Sequence, residues 1–154
     1  MSGHAPPRFD AGTLLFGIGN SGRGDDGLGW AFVDAVRGQA DFAAQAEYRY
    51  QLQVEDALLV SRFARVVIVD ASAEELPGGY RWAPCAARAA DEFTSHVLTP
   101  SAVLHYAAAL YGATPRAGLL AIGGCRWELG AGLSATARHN LARALAFCGA
   151  PMGA

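Results

Sequence analysis

Arg65-Val66-Val67-Ile68-Val69-Asp70 is a run of β-branched residues closed by an acid. Four apolar residues in succession leave no polar face for solvent, which is the pattern of a strand covered on both sides in a parallel sheet. Parallel neighbours need crossover connections, so helices are expected before and after this strand.

Working outward toward the N-terminus, the helix expected before it is 55–63, with Leu58, Leu59 and Phe63 on one face, and 46–52 alternates as a strand would. Over 27–39 the apolar residues Leu28, Phe32, Ala35 and Val36 recur at helical spacing, and Asp25 or Asp26 stands where the N-cap belongs. Thr13–Ile18 is a second buried strand that opens into a glycine-rich loop. Toward the C-terminus, Pro77-Gly78-Gly79 marks a turn into a strand at 80–83, and 84–97, which has no clear period, is read as a long functional loop. Thr99 and Pro100 suit the cap and first position of a helix whose apolar stripe is Val103, Leu104, Ala107, Leu110 and Tyr111. A strand at 117–122 and a terminal helix at 134–147 complete the series, the latter carrying Ala137, Leu141, Ala144, Leu145 and Cys148 on one face. The alternation predicts an α/β fold, a three-layer α/β/α sandwich with a mostly parallel central sheet, over residues 13–148 behind a flexible tail at 1–12.

Composition narrows the partners. The chain has 154 residues, 52% of them hydrophobic, which fills one domain and leaves no room for a second of ordinary size. A net charge of −2 argues against nucleic acid or an anionic membrane surface as a partner. Every basic residue is Arg, but they are scattered and receive no collective role. Cys85, Cys125 and Cys148 lie far apart without zinc-ligand spacing, and the first ten residues lack the apolar core of a signal peptide. A soluble, cytoplasmic protein is expected.

In open α/β sheets, ligands gather beyond the carboxyl ends of the strands. The loop after the first strand, Gly17-Ile18-Gly19-Asn20-Ser21-Gly22-Arg23-Gly24-Asp25-Asp26-Gly27, contains GxGxxG, a pattern shared with dinucleotide sites. Two features oppose that reading: no acid closes the second strand to hold a ribose, and two adjacent carboxylates stand where a phosphate would sit. One of the two acids can cap the helix, which leaves the other to be explained. Asp70, at the end of its strand, and His96, just before the Thr99 helix start, arrive at the same sheet edge. Two carboxylates and an imidazole from separate loops can hold a borderline divalent cation with positions left open. His105 and His139 fall within helices and His4 within the tail, so none of them matches that placement.

These segments together carry a resemblance. Gly17-Ile18-Gly19-Asn20 followed by Gly24-Asp25-Asp26-Gly27-Leu28-Gly29 resembles the opening signature of the nickel-iron (NiFe) hydrogenase maturation endopeptidases. Val67-Ile68-Val69-Asp70-Ala71 is similar to that family's central strand and acid, Ser95-His96 with Pro100 to its histidine segment, and Gly124, Glu128-Leu129-Gly130 and Leu133-Ser134 to its C-terminal signature. Gln51-Leu52 with Glu55, and Leu110-Tyr111-Gly112 with Pro115, resemble the branch that serves soluble cytoplasmic hydrogenases. The resemblance implies removal of a C-terminal extension from a nickel-loaded hydrogenase large-subunit precursor. The nickel would come with that precursor, and the enzyme would keep no tightly bound cofactor. The family's metal-contacting residues fall on Asp26, Asp70 and His96, although many relatives have Glu at the position of Asp26. In that register Asp25 caps the helix, and Gly19, Asn20 and Asp25 belong to a substrate-recognition loop.

Two mechanisms are compatible with these residues. Either the triad binds the substrate's nickel and the metal or its bound water acts on the scissile carbonyl, or Asp26 and Asp70 activate water as an acid and base pair. The sequence has neither GxSxG nor a cysteine beside a histidine to supply a nucleophile. A different class remains open: a non-catalytic binding or chaperone-like module that recognises the nickel-loaded precursor or a small ligand.

Overall fold

The computed structural model describes residues 4–89 and 98–150. Five strands, β1 (Thr13–Ile18), β2 (Gln45–Arg49), β3 (Arg65–Ser72), β4 (Tyr80–Pro84) and β5 (Arg116–Gly123), form one sheet in the order β2-β1-β3-β5-β4. Four helices, α1 (Leu28–Arg37), α2 (Asp56–Val60), α3 (Pro100–Tyr111) and α4 (Ala135–Phe147), cover it.

The strand pleat divides the core in two. Leu14, Phe16, Val66 and Ile68 project toward Ala57 and Val60 of α2 and Val103, Leu104 and Ala107 of α3. The alternate residues Leu15, Val67, Val69, Leu120 and Ile122 pack on Leu28, Phe32, Val33 and Val36 of α1 and Leu141, Ala144 and Leu145 of α4. Each Val, Leu, Ile or Phe among them, fully buried, contributes about 1.5–3 kcal/mol relative to exposure. Val66 to Val69 are all buried, as a doubly covered strand requires. This is the three-layer sandwich expected from the alternation of elements.

β1, β2, β3 and β5 are parallel, whereas β4 runs antiparallel to β5. Residues 73–79 are too few for a parallel return, which takes about a dozen or more. They turn through a short 3-10 segment at Pro77–Gly79 and leave β4 as a reversed edge strand.

Helix caps divide into two kinds. Thr99 accepts a hydrogen bond from the Ala102 N–H at 3.1 Å, and Ser134 accepts one from the Ala137 N–H at 3.0 Å, so α3 and α4 start on side-chain caps. α1 does not: its N-cap is Gly27, with no side-chain cap bond, and Asp25 and Asp26 lie in a preceding 3-10 turn, Gly24–Gly27. The expectation that one of these acids caps α1 is therefore corrected. α1 lies so close to the sheet that a Cβ on Gly29 would meet the carbonyl oxygens of Ile18 and Val69 at 2.4 and 2.6 Å. A larger residue there would push the helix off the strands.

The segment ahead of β1, expected as a tail, makes contacts from Ala5 onward. Trp82 Nε1 donates to the Ala5 carbonyl at 2.9 Å, Phe9 sits edge-on to Phe32 at 6.0 Å between ring centroids, and Asp10 pairs with Arg65 at 2.5 Å. Among the described residues no helix is long and apolar enough to cross a membrane.

Candidate active site

The strand order creates the site. β1 connects through α1 to β2 on one side, while β3 lies on its other side, so the connections diverge between β1 and β3. Beyond the carboxyl ends of these two strands is the crevice in which such sheets bind ligands. Asp26 enters from the 3-10 turn after β1, and Asp70 from the carboxyl end of β3. β3 continues past Asp70 to Ser72, with Asp70 paired to Ala121 of β5.

Both side chains are half-buried. Burial pushes the Asp70 carboxyl up to about 6; the Ala71 N–H, donating to Oδ1 at 2.8 Å, pulls the other way, and the charge of Asp26 adds to the rise. Asp26 is also raised, by burial, against the opposing pull of Arg23 and the Asn20 N–H. Two half-buried acids, with the charge of Asp26 adding to the cost of ionising Asp70, have an excess of negative charge. They can be relieved by a cation or by sharing a proton.

Asp25 has the opposite environment. It is fully buried, and its carboxylate accepts from the Ser134 N–H and Oγ at 2.7 Å each, the Cys125 N–H at 2.7 Å and the Arg126 N–H at 2.9 Å. Burial opposes the charge, but these donors outweigh it and hold the carboxyl below its usual value. Asp25 lies in the loop after β1 that was expected to recognise substrate, and its own carboxylate is spent on the distant 125–134 segment. Gly124 makes this possible: a Cβ there would lie 2.6 Å from the Asp25 Cβ and 3.0 Å from the Trp127 ring.

Gly19 and Asn20 shape the loop that carries Asp26. The Asn20 N–H donates to the Asp26 carbonyl at 3.0 Å, and the Gly19 N–H to the Arg49 carbonyl at 2.9 Å. Gly19 has φ +139°, and a Cβ on it would be 2.0 Å from the Asp26 carbonyl oxygen. The Asn20 side chain turns back to accept from the Gly22 N–H at 2.9 Å.

His96 lies outside the described residues. His105 and His139 fall within α3 and α4, as read from their sequence context. Among the described residues no cluster of three or more His, Cys, Asp or Glu is arranged to hold a metal ion. Two cavities, of about 430 and 330 Å³, are lined in part by the N-terminal segment, and neither includes Asp26 or Asp70. The acids instead stand on a sheet edge flanked by loops.

The functional contact that the sequence does not announce is the pairing of Asp25 with Ser134. Both residues stand in segments singled out for their pattern, but their contact spans most of the chain and leaves no local trace.

No protein-family model matches the sequence, and no curated protein matches it significantly. Solved structures do match. The hydrogenase maturating endopeptidase HybD from E. coli superposes with a TM-score of 0.65 at 22% identity, covering 87% of each chain. The nickel-iron hydrogenase maturation protease HycI from Thermococcus kodakarensis superposes with a TM-score of 0.65 at 19% identity, covering 92% of each chain. HybD from the same archaeon gives 0.59 at 20% identity, over 89% of this chain and 96% of its own. The chain has the fold of the hydrogenase maturation endopeptidases over nearly its whole length.

Proposed function

We propose that this protein is an endopeptidase of nickel-iron hydrogenase maturation, acting in the cytoplasm to remove the C-terminal extension of a nickel-loaded large-subunit precursor. The observation that carries this reading is the pair Asp26 and Asp70: two half-buried acids, coupled through their charges, at the switch point of a sheet shared with solved endopeptidases of this kind. His96 is the third member of the proposed site by its sequence resemblance.

The negative excess at Asp26 and Asp70 supports recognition of a cation that arrives with the substrate. Nickel in the precursor would meet two carboxylates whose ionisation it favours, and the peptide attached to it would be held beside them. A second reading rests on Asp70 itself. A carboxyl with a pKa of about 6 titrates close to neutrality and suits an acid and base role in activating water. Asp70→Asn separates the two: loss of precursor binding together with cleavage supports metal recognition, and retained binding without cleavage supports the acid and base role.

The deciding experiment mixes purified protein with nickel-loaded precursor and follows the shortened product. Uncut but bound precursor would favour the chaperone-like module instead. His96→Ala is expected to abolish processing without unfolding the protein. The protein as isolated is expected to hold divalent metal weakly, since two carboxylates and one imidazole form a half-built site that the substrate completes. Stoichiometric metal that survives a chelator would contradict this.

A further inference from the structure

Large apolar side chains exposed to solvent are unevenly placed on this fold. Seven stand out among the described residues, and four of them, Tyr50, Val54, Trp127 and Leu129, lie in loops at the carboxyl edge of the sheet. Tyr50 and Val54 follow β2, while Trp127 and Leu129 follow β5. Since β1 and β3 lie between those strands, the two apolar groups flank the loops that carry Asp26 and Asp70. Leu129 and Tyr50 are 71% and 70% exposed, so neither is a core residue with a grazed edge. Single exposed apolar residues need no explanation, but a set that converges on one edge marks an interaction surface.

The loop bearing Trp127 and Leu129 is held in place. Asp25 grips its two ends through Cys125, Arg126 and Ser134. Between those ends the Gly24 N–H donates to the Ala131 carbonyl at 3.0 Å and the Gly130 N–H to the Gly22 carbonyl at 2.9 Å. The Trp127 ring lies against Gly124. Across the crevice Tyr50 packs on Trp30 at 5.3 Å between centroids, and Trp30 Nε1 donates to the Arg49 carbonyl. Aromatic side chains exposed on anchored backbone are preorganised for contact, because little entropy remains to be lost on binding.

We propose that these two rims are a docking surface for the hydrogenase precursor polypeptide, with Trp127 and Leu129 as the apolar anchors on one side of Asp26 and Tyr50 with Val54 on the other. This rests on the proposed function and deepens it by naming how the substrate is gripped. The occupant is a folded polypeptide carrying a cation. The rims flank the loops that carry the carboxylates Asp26 and Asp70, which favour positive charge, and the paired spans on both sides suit a protein surface better than a small molecule. Binding energy would come from the rims and orientation from the acids.

The test compares Trp127→Ala and Leu129→Ser with a control on the opposite edge, Leu110→Ser, at the far end of α3. Capture of nickel-loaded precursor is measured by calorimetry, processing by the rate of product at limiting precursor, and folding by thermal melts. Trp127→Ala and Leu129→Ser are each expected to weaken capture about tenfold, as loss of an aromatic or aliphatic anchor does, and to raise KM in step. Leu110→Ser should behave as the parent. Should Trp127→Ala disturb the loop, the melt reveals it, and Leu129→Ser, at a solvent-facing position, decides alone. Parent-like capture by both rim variants, or an equal loss in Leu110→Ser, overturns the docking surface while leaving the proposed activity intact. Rim-dependent capture without cleavage overturns the activity and supports the surface. Absence of capture by the parent protein overturns both.

Discussion

Asp25 and Asp26 are neighbours in the chain and opposites in the fold. Asp25 is buried, receives four hydrogen bonds and is held in its charged form. Asp26 is half-buried, its charge is felt by Asp70, and both are pushed toward their neutral forms. The difference teaches how to tell a structural carboxylate from a working one: the first has its donors built in, and the second has a deficit that something from outside must fill.

The comparison can be broken most decisively at Asp25. Asp25→Ala would strand buried N–H groups of Cys125, Arg126 and Ser134, and a loss of about 3–5 kcal/mol is expected in denaturant unfolding. The pH signature has a definite sign. A carboxyl whose folded pKa is lowered adds stability above its unfolded value near 3.8, and that stability is lost as pH falls through the folded value. Asp25→Ala should therefore remove acid-sensitive stability, and a loss below 1 kcal/mol would show that the clamp is dispensable.

Asp70 should give the reverse. Its folded pKa of about 6 lies above the ordinary 3.8, so between those values the folded protein binds more protons and stability falls as pH rises. Asp70→Asn is expected to abolish processing, gain about 1–2 kcal/mol at pH 8, and flatten that slope. A variant that processes normally at normal stability would dismiss Asp70 from the site.

Asp26→Asn sharpens the same contrast with the smallest change. Stability should hold or rise by less than about 1 kcal/mol, since one charge facing another is removed, while processing is lost and the Asp70 carboxyl titrates lower. Following the Asp70 carbon resonance against pH checks the last point. An unmoved titration would mean that the two acids do not share a site.

Most of the sheet was legible because its signal is local. The β-branched run Val66 to Val69 suits a doubly covered strand, and Thr99-Pro100 and Ser134 announce helix starts by side chains that act within three residues. Asp70 was legible for the same reason, as the acid near the end of such a strand. What escaped is non-local. The sequence order of strands does not reveal that β3 lies beside β1, which is what brings Asp70 to Asp26. For Asp25 a cap is the nearest local explanation of an acid before a helix, whereas its true donors lie in another loop. The reversal of β4 follows from a connection too short to cross over, a length already present in the sequence.

The Asp25 clamp also orders events in time. Its donors lie 100, 101 and 109 residues downstream, so a ribosome will have made all of β1 to β5 before the first of them exists. Until Cys125 to Ser134 emerge, the β1 loop carries an acid with nothing to receive it, and burying that acid would cost several kcal/mol. The early strands can pair, but the turn that presents Asp26 is not sealed until residues 125–134 have been made. The working edge would thus mature after the strands that carry it, and a chain ended before Cys125 would lack the partners that close its first loop.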